Sequence, residues 1–185
     1  MLEQIRKIVN LNAYSESKYF IGFFESAENK PSEKVIIDIK NLFEKFFIYM
    51  GSECWIITSL VKSLWPGCKL NGEAKNDIEA LLAGNWISKK NIDDYIDKEL
   101  PFCTFEYVQN SHKNLILPLF RLIMKYGCLS GHVFFLWPKY EIVIYPHDDI
   151  GIGIIAGNNI DGRLKAIKFL EEMKDNVKYV VELKI

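Results

Sequence analysis

Apolar and polar positions follow two different periods along this chain, and each change of period marks an element. Between residues 33 and 50 the apolar residues Val35, Ile39, Leu42, Phe43, Phe46 and Met50 recur three or four apart, while Glu33, Asp38, Asn41, Glu44 and Lys45 take the other side. A period near 3.6 with one wet face predicts a helix, opened by Ser32 as N-cap and ended by Gly51. Between His132 and Gly157 the pattern changes. Three runs rich in Phe, Trp, Ile, Val and Tyr are broken by Pro138-Lys139 and by Pro146-His147-Asp148-Asp149. Bulky β-formers separated by Pro and Asp predict a meander of buried strands joined by turns.

The same reading places a short helix over 2–11, a strand over 18–25 and a strand or buried helix over 54–61. Helices are expected over 73–83, stopped by Gly84-Asn85, and over 91–100, stopped by Pro101. A strand follows over 102–109, then a helix over 111–126 in which Pro118 either makes a kink or marks the true first turn. After the meander, Asn159 or Asp161 caps a helix carrying Leu164, Ile167, Leu170 and Met173, and 177–183 closes as a strand. The expected fold is α+β: a mixed, mainly antiparallel sheet covered by helices, with a C-terminal β-meander followed by helix and strand. One domain over 1–185 fits the length, with a two-lobe division near residue 100 as the alternative.

Composition narrows the function classes. Lys and Arg total 23 against 24 Asp and Glu, a net charge of -1, so the chain as a whole has no attraction for nucleic acid or anionic membrane. No apolar run approaches the roughly 20 residues of a bilayer span. The first residues, with charges throughout, read as an amphipathic helix rather than a signal peptide, which makes a cytoplasmic location the expectation. Cys54, Cys68, Cys103 and Cys128 are scattered without a C-x-x-C pair and are expected as free thiols.

Three constellations carry candidate chemistry. His147, Asp148 and Asp149 combine an imidazole with two carboxylates, the residue types of a metal or acid-base site. A hairpin turn explains them more simply, and no catalytic residue, metal or cofactor is expected. Gly151 and Gly153 fall inside a strand, which argues against a dinucleotide loop. They share one sheet face and leave a flat stripe for a helix or a second copy of the chain to approach. Gly157-Asn158-Asn159 reads as helix capping rather than an anion site. Finally, Asp93, Asp94, Tyr95 and Asp97 form the strongest local charge asymmetry, with Trp86 shortly before them. Such a run is either a solvated face or, with an aromatic anchor among carboxylates, a surface for a basic protein partner.

From Phe134 to Ala156 an apolar strand, Glu-Ile-Val-Ile-Tyr, an Asp-Asp turn and Ile-Gly-Ile-Ile-Ala before a helix resemble the C-terminal part of small bacterial immunity-type proteins, which neutralise toxins encoded beside them. The resemblance implies a non-enzymatic cytoplasmic inhibitor that occludes a cognate toxin domain, a nuclease being a frequent kind. With it, Asp93, Asp94, Tyr95, Asp97, Asp148 and Asp149 become partner-binding candidates; no nucleic acid or membrane is a direct partner, and a homodimer stays open. The alternatives are a small hydrolase or nucleotide-handling enzyme using His147, Asp148 and Asp149, which needs a second histidine or carboxylate at the turn, and a self-associating adaptor.

Overall fold

Ser32 accepts a hydrogen bond from the Val35 amide at 3.3 Å, and Gly51, at φ +54°, ends the helix in the left-handed conformation that glycine adopts without strain. This helix and a long sheet organise the computed structural model, which describes residues 1–28, 30–51, 53–62, 70–91 and 101–184. The helices are α1 (Leu2–Ile8), α2 (Glu33–Met50), α3 (Gly72–Ala83), α4 (Gln109–Phe120) and α5 (Ile160–Lys174). The strands are β1 (Phe20–Ser26), β2 (Trp55–Thr58), β3 (Val61–Lys62), β4 (Ser88–Asn91), β5 (Cys103–Glu106), β6 (Leu129–Ser130), β7 (Val133–Trp137), β8 (Ile142–His147), β9 (Gly151–Ala156) and β10 (Tyr179–Leu183).

Seven strands form one sheet in the order β10-β1-β9-β8-β7-β2-β5, every pair antiparallel, and β4-β3-β6 form a small second sheet with one parallel pair. The fold is therefore α+β, as the alternating periods indicate. Both faces of the large sheet are buried, which explains why the meander is apolar throughout rather than alternating. One face carries Ile21, Phe24, Ile56, Phe135, Trp137, Ile144 and Ile154 and packs with residues of α2 to α5. The other carries Phe20, Ile57, Phe134, Leu136, Val143 and Ile155 and is covered by Ile5, Ile8 and Val9 from α1 and its end. Because α1 is so short, it protects only part of this second face.

Several expectations need correction. Of the two alternatives for 54–61, strand is the one observed, as β2 and the start of β3. Pro146 and His147 belong to β8 rather than to the turn; β7 pairs with β8 only as far as Ile144, so the amide hydrogen that Pro146 lacks is not required by that ladder. Pro118 lies inside α4, and the chain then widens into a π turn (Arg121–Lys125), closed by the Tyr126 amide donating to the Arg121 carbonyl at 3.0 Å. On α5 the buried positions are Gly162, Ala166, Phe169 and Leu170, while Leu164 is 61% exposed, so the apolar face is rotated from the expected one. The helix expected over 91–100 lies outside the described residues except for Asn91, which ends β4. Cys54 and Cys103 are free, Cys128 is disulfide-bonded, against the expectation of four free thiols, and Cys68 is outside the described residues. Among the described residues no helix is long and apolar enough to cross a membrane.

Candidate functional site

The uncovered end of the second sheet face contains a row of three directly opposed residues on adjacent strands: Glu25 on β1, Gly151 on β9 and His147 on β8. Opposed residues point to the same side of a sheet, so two polar side chains flank a position with none. A Cβ on Gly151 would stand 2.7 Å from both Cε1 and Nε2 of His147, which means that the imidazole lies across the glycine toward β1. One row further in, the Tyr145 ring covers Gly153 in the same way, at 2.2 Å from where a Cβ would be. The glycine stripe is thus filled by neighbouring rings. The expectation of an open strip for a helix or second copy is incorrect, because cross-strand partners reach it first.

Asp149 arrives from the turn between β8 and β9. There Ile150 holds φ +58°, a costly conformation for a β-branched residue, and is kept in it by burial in the core and by a 3.0 Å bond from the Ser26 amide to its carbonyl. That bond also clips the end of β1 to the turn and sets Glu25 beside it. One ligand-type atom each from Glu25, His147 and Asp149 lies within 4.8 Å of the other two. The three line a cavity of about 280 Å³ whose other walls are Tyr14, Ser15, Phe20, Phe23 and Tyr145, and the Lys184 ammonium lies at its edge, donating to the Ser15 carbonyl at 3.3 Å. Asp148, the other half of the Asp-Asp pair, lines a neighbouring cavity of about 290 Å³ with Pro146 and Leu129, and the two cavities share Tyr14 and His147. In the first cavity the carboxylates are those of Asp149 and Glu25.

The His147 ring is held by an edge contact with Phe23 at 5.9 Å and a tilted contact with Tyr145 at 6.3 Å between centroids. Its Nδ1 is 3.9 Å from Asp149 Oδ2, and its Nε2 is buried with no hydrogen-bond partner among the described residues. Burial lowers the His147 pKa, against Asp149 and Asp148, which raise it. The Glu25 pKa is raised, first by burial and then by the charges of Asp149 and Glu182. Beyond Tyr145, the Tyr14 hydroxyl meets His132 Nδ1; burial raises the tyrosine pKa and lowers that of the histidine, which favours the uncharged form of both.

Against this geometry the other candidates separate clearly. Asp93, Asp94, Tyr95 and Asp97 lie outside the described residues. Trp86 is fully buried, stacked obliquely on Phe105 and Phe135, and is no exposed anchor. At the start of α5, Asn159 caps the Gly162 amide at 2.8 Å, and Glu141 accepts from the amides of Asn158 and Asn159, so a carboxylate of the chain itself fills the anion position. Glu25 was not singled out from the sequence. Its one signal is a lone carboxylate ending an apolar strand, and only the β1-β9-β8 register connects it to His147.

No protein-family model matches the chain, and no curated protein or solved structure matches it either.

The three histidines set a pH dependence. His112 accepts a bond from the Val108 amide on Nδ1, which requires that nitrogen unprotonated, and burial lowers its pKa as it does for His132 and His147. With folded values below the 6.5 of the free side chain, the unfolded state binds more protons in that interval. Stability is therefore complete above about pH 6.5 and declines as pH falls toward the folded values. Glu25 acts in the opposite sense: its raised pKa gives a contribution present in acid and lost as pH rises through the folded value. Three groups against one predict that Tm falls between pH 7 and pH 5. A thermal scan with Tm flat or rising across that interval contradicts this.

Proposed function

We propose that this chain is an immunity-type inhibitor that binds a basic surface of a cognate bacterial toxin domain and occludes it. The observation that supports this reading is the cavity at the β8-β9 turn, where the carboxylates of Glu25 and Asp149 rim an aromatic floor. A Lys or Arg of the partner would lay its stem on Phe23 and Tyr145 and bring its charge to Glu25 and Asp149. Asp149 is 79% exposed at the side chain and stands at the mouth. A cytoplasmic location is part of the proposal, and the disulfide at Cys128 argues against it, since such bonds are uncommon in a reducing compartment.

Association kinetics with the toxin domain encoded beside this chain test the reading. Asp148→Asn/Asp149→Asn is expected to slow association about tenfold at low salt and to flatten its salt dependence, because rim charges act mainly on encounter. Phe23→Ala is expected to speed dissociation. Unchanged kinetics in both variants, with folding intact, remove this face from the interface.

The second reading, a small hydrolase, is favoured by Glu25, which meets the requirement for another carboxylate beside His147 and Asp149. The self-association reading loses its motive, since Tyr145 and His147 occupy the glycine stripe.

A further inference from the structure

We propose that Glu25, His147 and Asp149 are the protein ligands of a divalent transition-metal ion, with Zn²⁺ as the representative. This goes beyond the inhibitor reading and does not depend on it. The donor atoms already lie within 4.8 Å of one another, whereas ligands about 2.1 Å from a tetrahedral ion are roughly 3.4 Å apart. The difference falls within the reach of side-chain rotation, because Asp149 is on an exposed turn and Glu25 is only half buried. His147 is the fixed member. Its ring is pinned over Gly151 and against Phe23, with a buried nitrogen that nothing else in the described structure satisfies. A buried polar atom without a partner calls for an explanation, and an ion is one that the two neighbouring carboxylates also accommodate.

The donor set selects the class of ion. Mg²⁺ and Ca²⁺ prefer all-oxygen surroundings, while an imidazole favours Zn²⁺ and its neighbours in the first transition row. Two carboxylates can neutralise the charge of the ion. The cavity leaves room for water as a fourth ligand. A metal and a partner's basic side chain would compete for Asp149, so the isolated protein is the proper test.

The full chain carrying Cys103→Ser, which removes the exposed free thiol, is titrated calorimetrically with Zn²⁺ at pH 7.5. The expected result is one saturable equivalent, undisturbed by millimolar Mg²⁺. Removal of an outer partner of a zinc ligand costs 10- to 100-fold in affinity, so His147→Ala, Glu25→Gln and Asp149→Asn should each lose about that much or more. Asp175→Asn, at the exposed C-terminal end of α5, should bind like the parent. Absence of saturable binding, or equal affinity in Asp149→Asn and Glu25→Gln with unchanged circular dichroism, overturns the proposal. Asp149→Asn keeps the test decisive even where His147→Ala fails to fold, since Asp149 is exposed.

Discussion

Replacing Arg121 by Ala is expected to cost about 3–5 kcal/mol of stability, the range for a buried carboxylate deprived of its cation. Arg121 forms a bidentate pair with Asp77, Nε to Oδ2 at 2.8 Å and Nη2 to Oδ1 at 2.6 Å, and the Asp77 side chain is only 5% exposed. The pairing holds the arginine pKa above its ordinary value, chiefly through the hydrogen bond to Asp77. Arg121 also reaches Glu33 and Glu73, which Lys125 shares, so the π turn ties the starts of α2 and α3 together. Those outer carboxylates are more than a third exposed, and pairs of that kind contribute about 1 kcal/mol or less each. Lys125→Ala should accordingly be mild. Replacing both members of the inner pair, Arg121→Met with Asp77→Leu, should recover much of the loss because no charge is left stranded. Urea denaturation of the three variants measures all of this. A loss under 1 kcal/mol in Arg121→Ala would show that Asp77 finds water or another partner, and the network would then be peripheral.

How much of this could be read from the chain follows from the range of each interaction. Ser32, Gly51 and the periodicity between them act within a few residues, and the helix they indicate is the one observed. The meander is legible for the same reason, since its strands are joined by short turns. The direction of the α5 face was harder: Gly162 and Ala166 are buried because the helix approaches closely, and small residues carry little hydrophobic signal. The site depends on the longest-range relation of all. His147, Asp148 and Asp149 attract notice as a cluster, yet adjacency in sequence misleads, because Asp148 and Asp149 line different cavities. Glu25 enters through strand register, which a single sequence does not disclose. Gly151 and Gly153 leave a gap in the sheet surface that the sequence does show, and the rings of the cross-strand neighbours His147 and Tyr145 fill it.

That gap gives the most direct structural test of the site. Gly151→Ala adds one methyl group where a Cβ would lie 2.2 Å from the Phe24 carbonyl oxygen and 2.7 Å from the His147 ring. The carbonyl belongs to β1, which is held between β9 and β10 and has little freedom to retreat. Overpacking of this kind costs about 1–3 kcal/mol, and more where backbone must move. Gly72→Ala is the matched control, since nothing lies within 4 Å of its Cβ position at the first turn of α3, and it should be neutral or gain about 0.4–1 kcal/mol. Beyond stability, the added methyl displaces the imidazole without deleting Glu25, His147 or Asp149. The His147 ring resonances should shift, and Zn²⁺ affinity should fall although every ligand remains. Gly151→Ala with the stability of Gly72→Ala and an unmoved imidazole would mean that the ring does not rest on the glycine, and the convergence of Glu25 and His147 over it would be wrong.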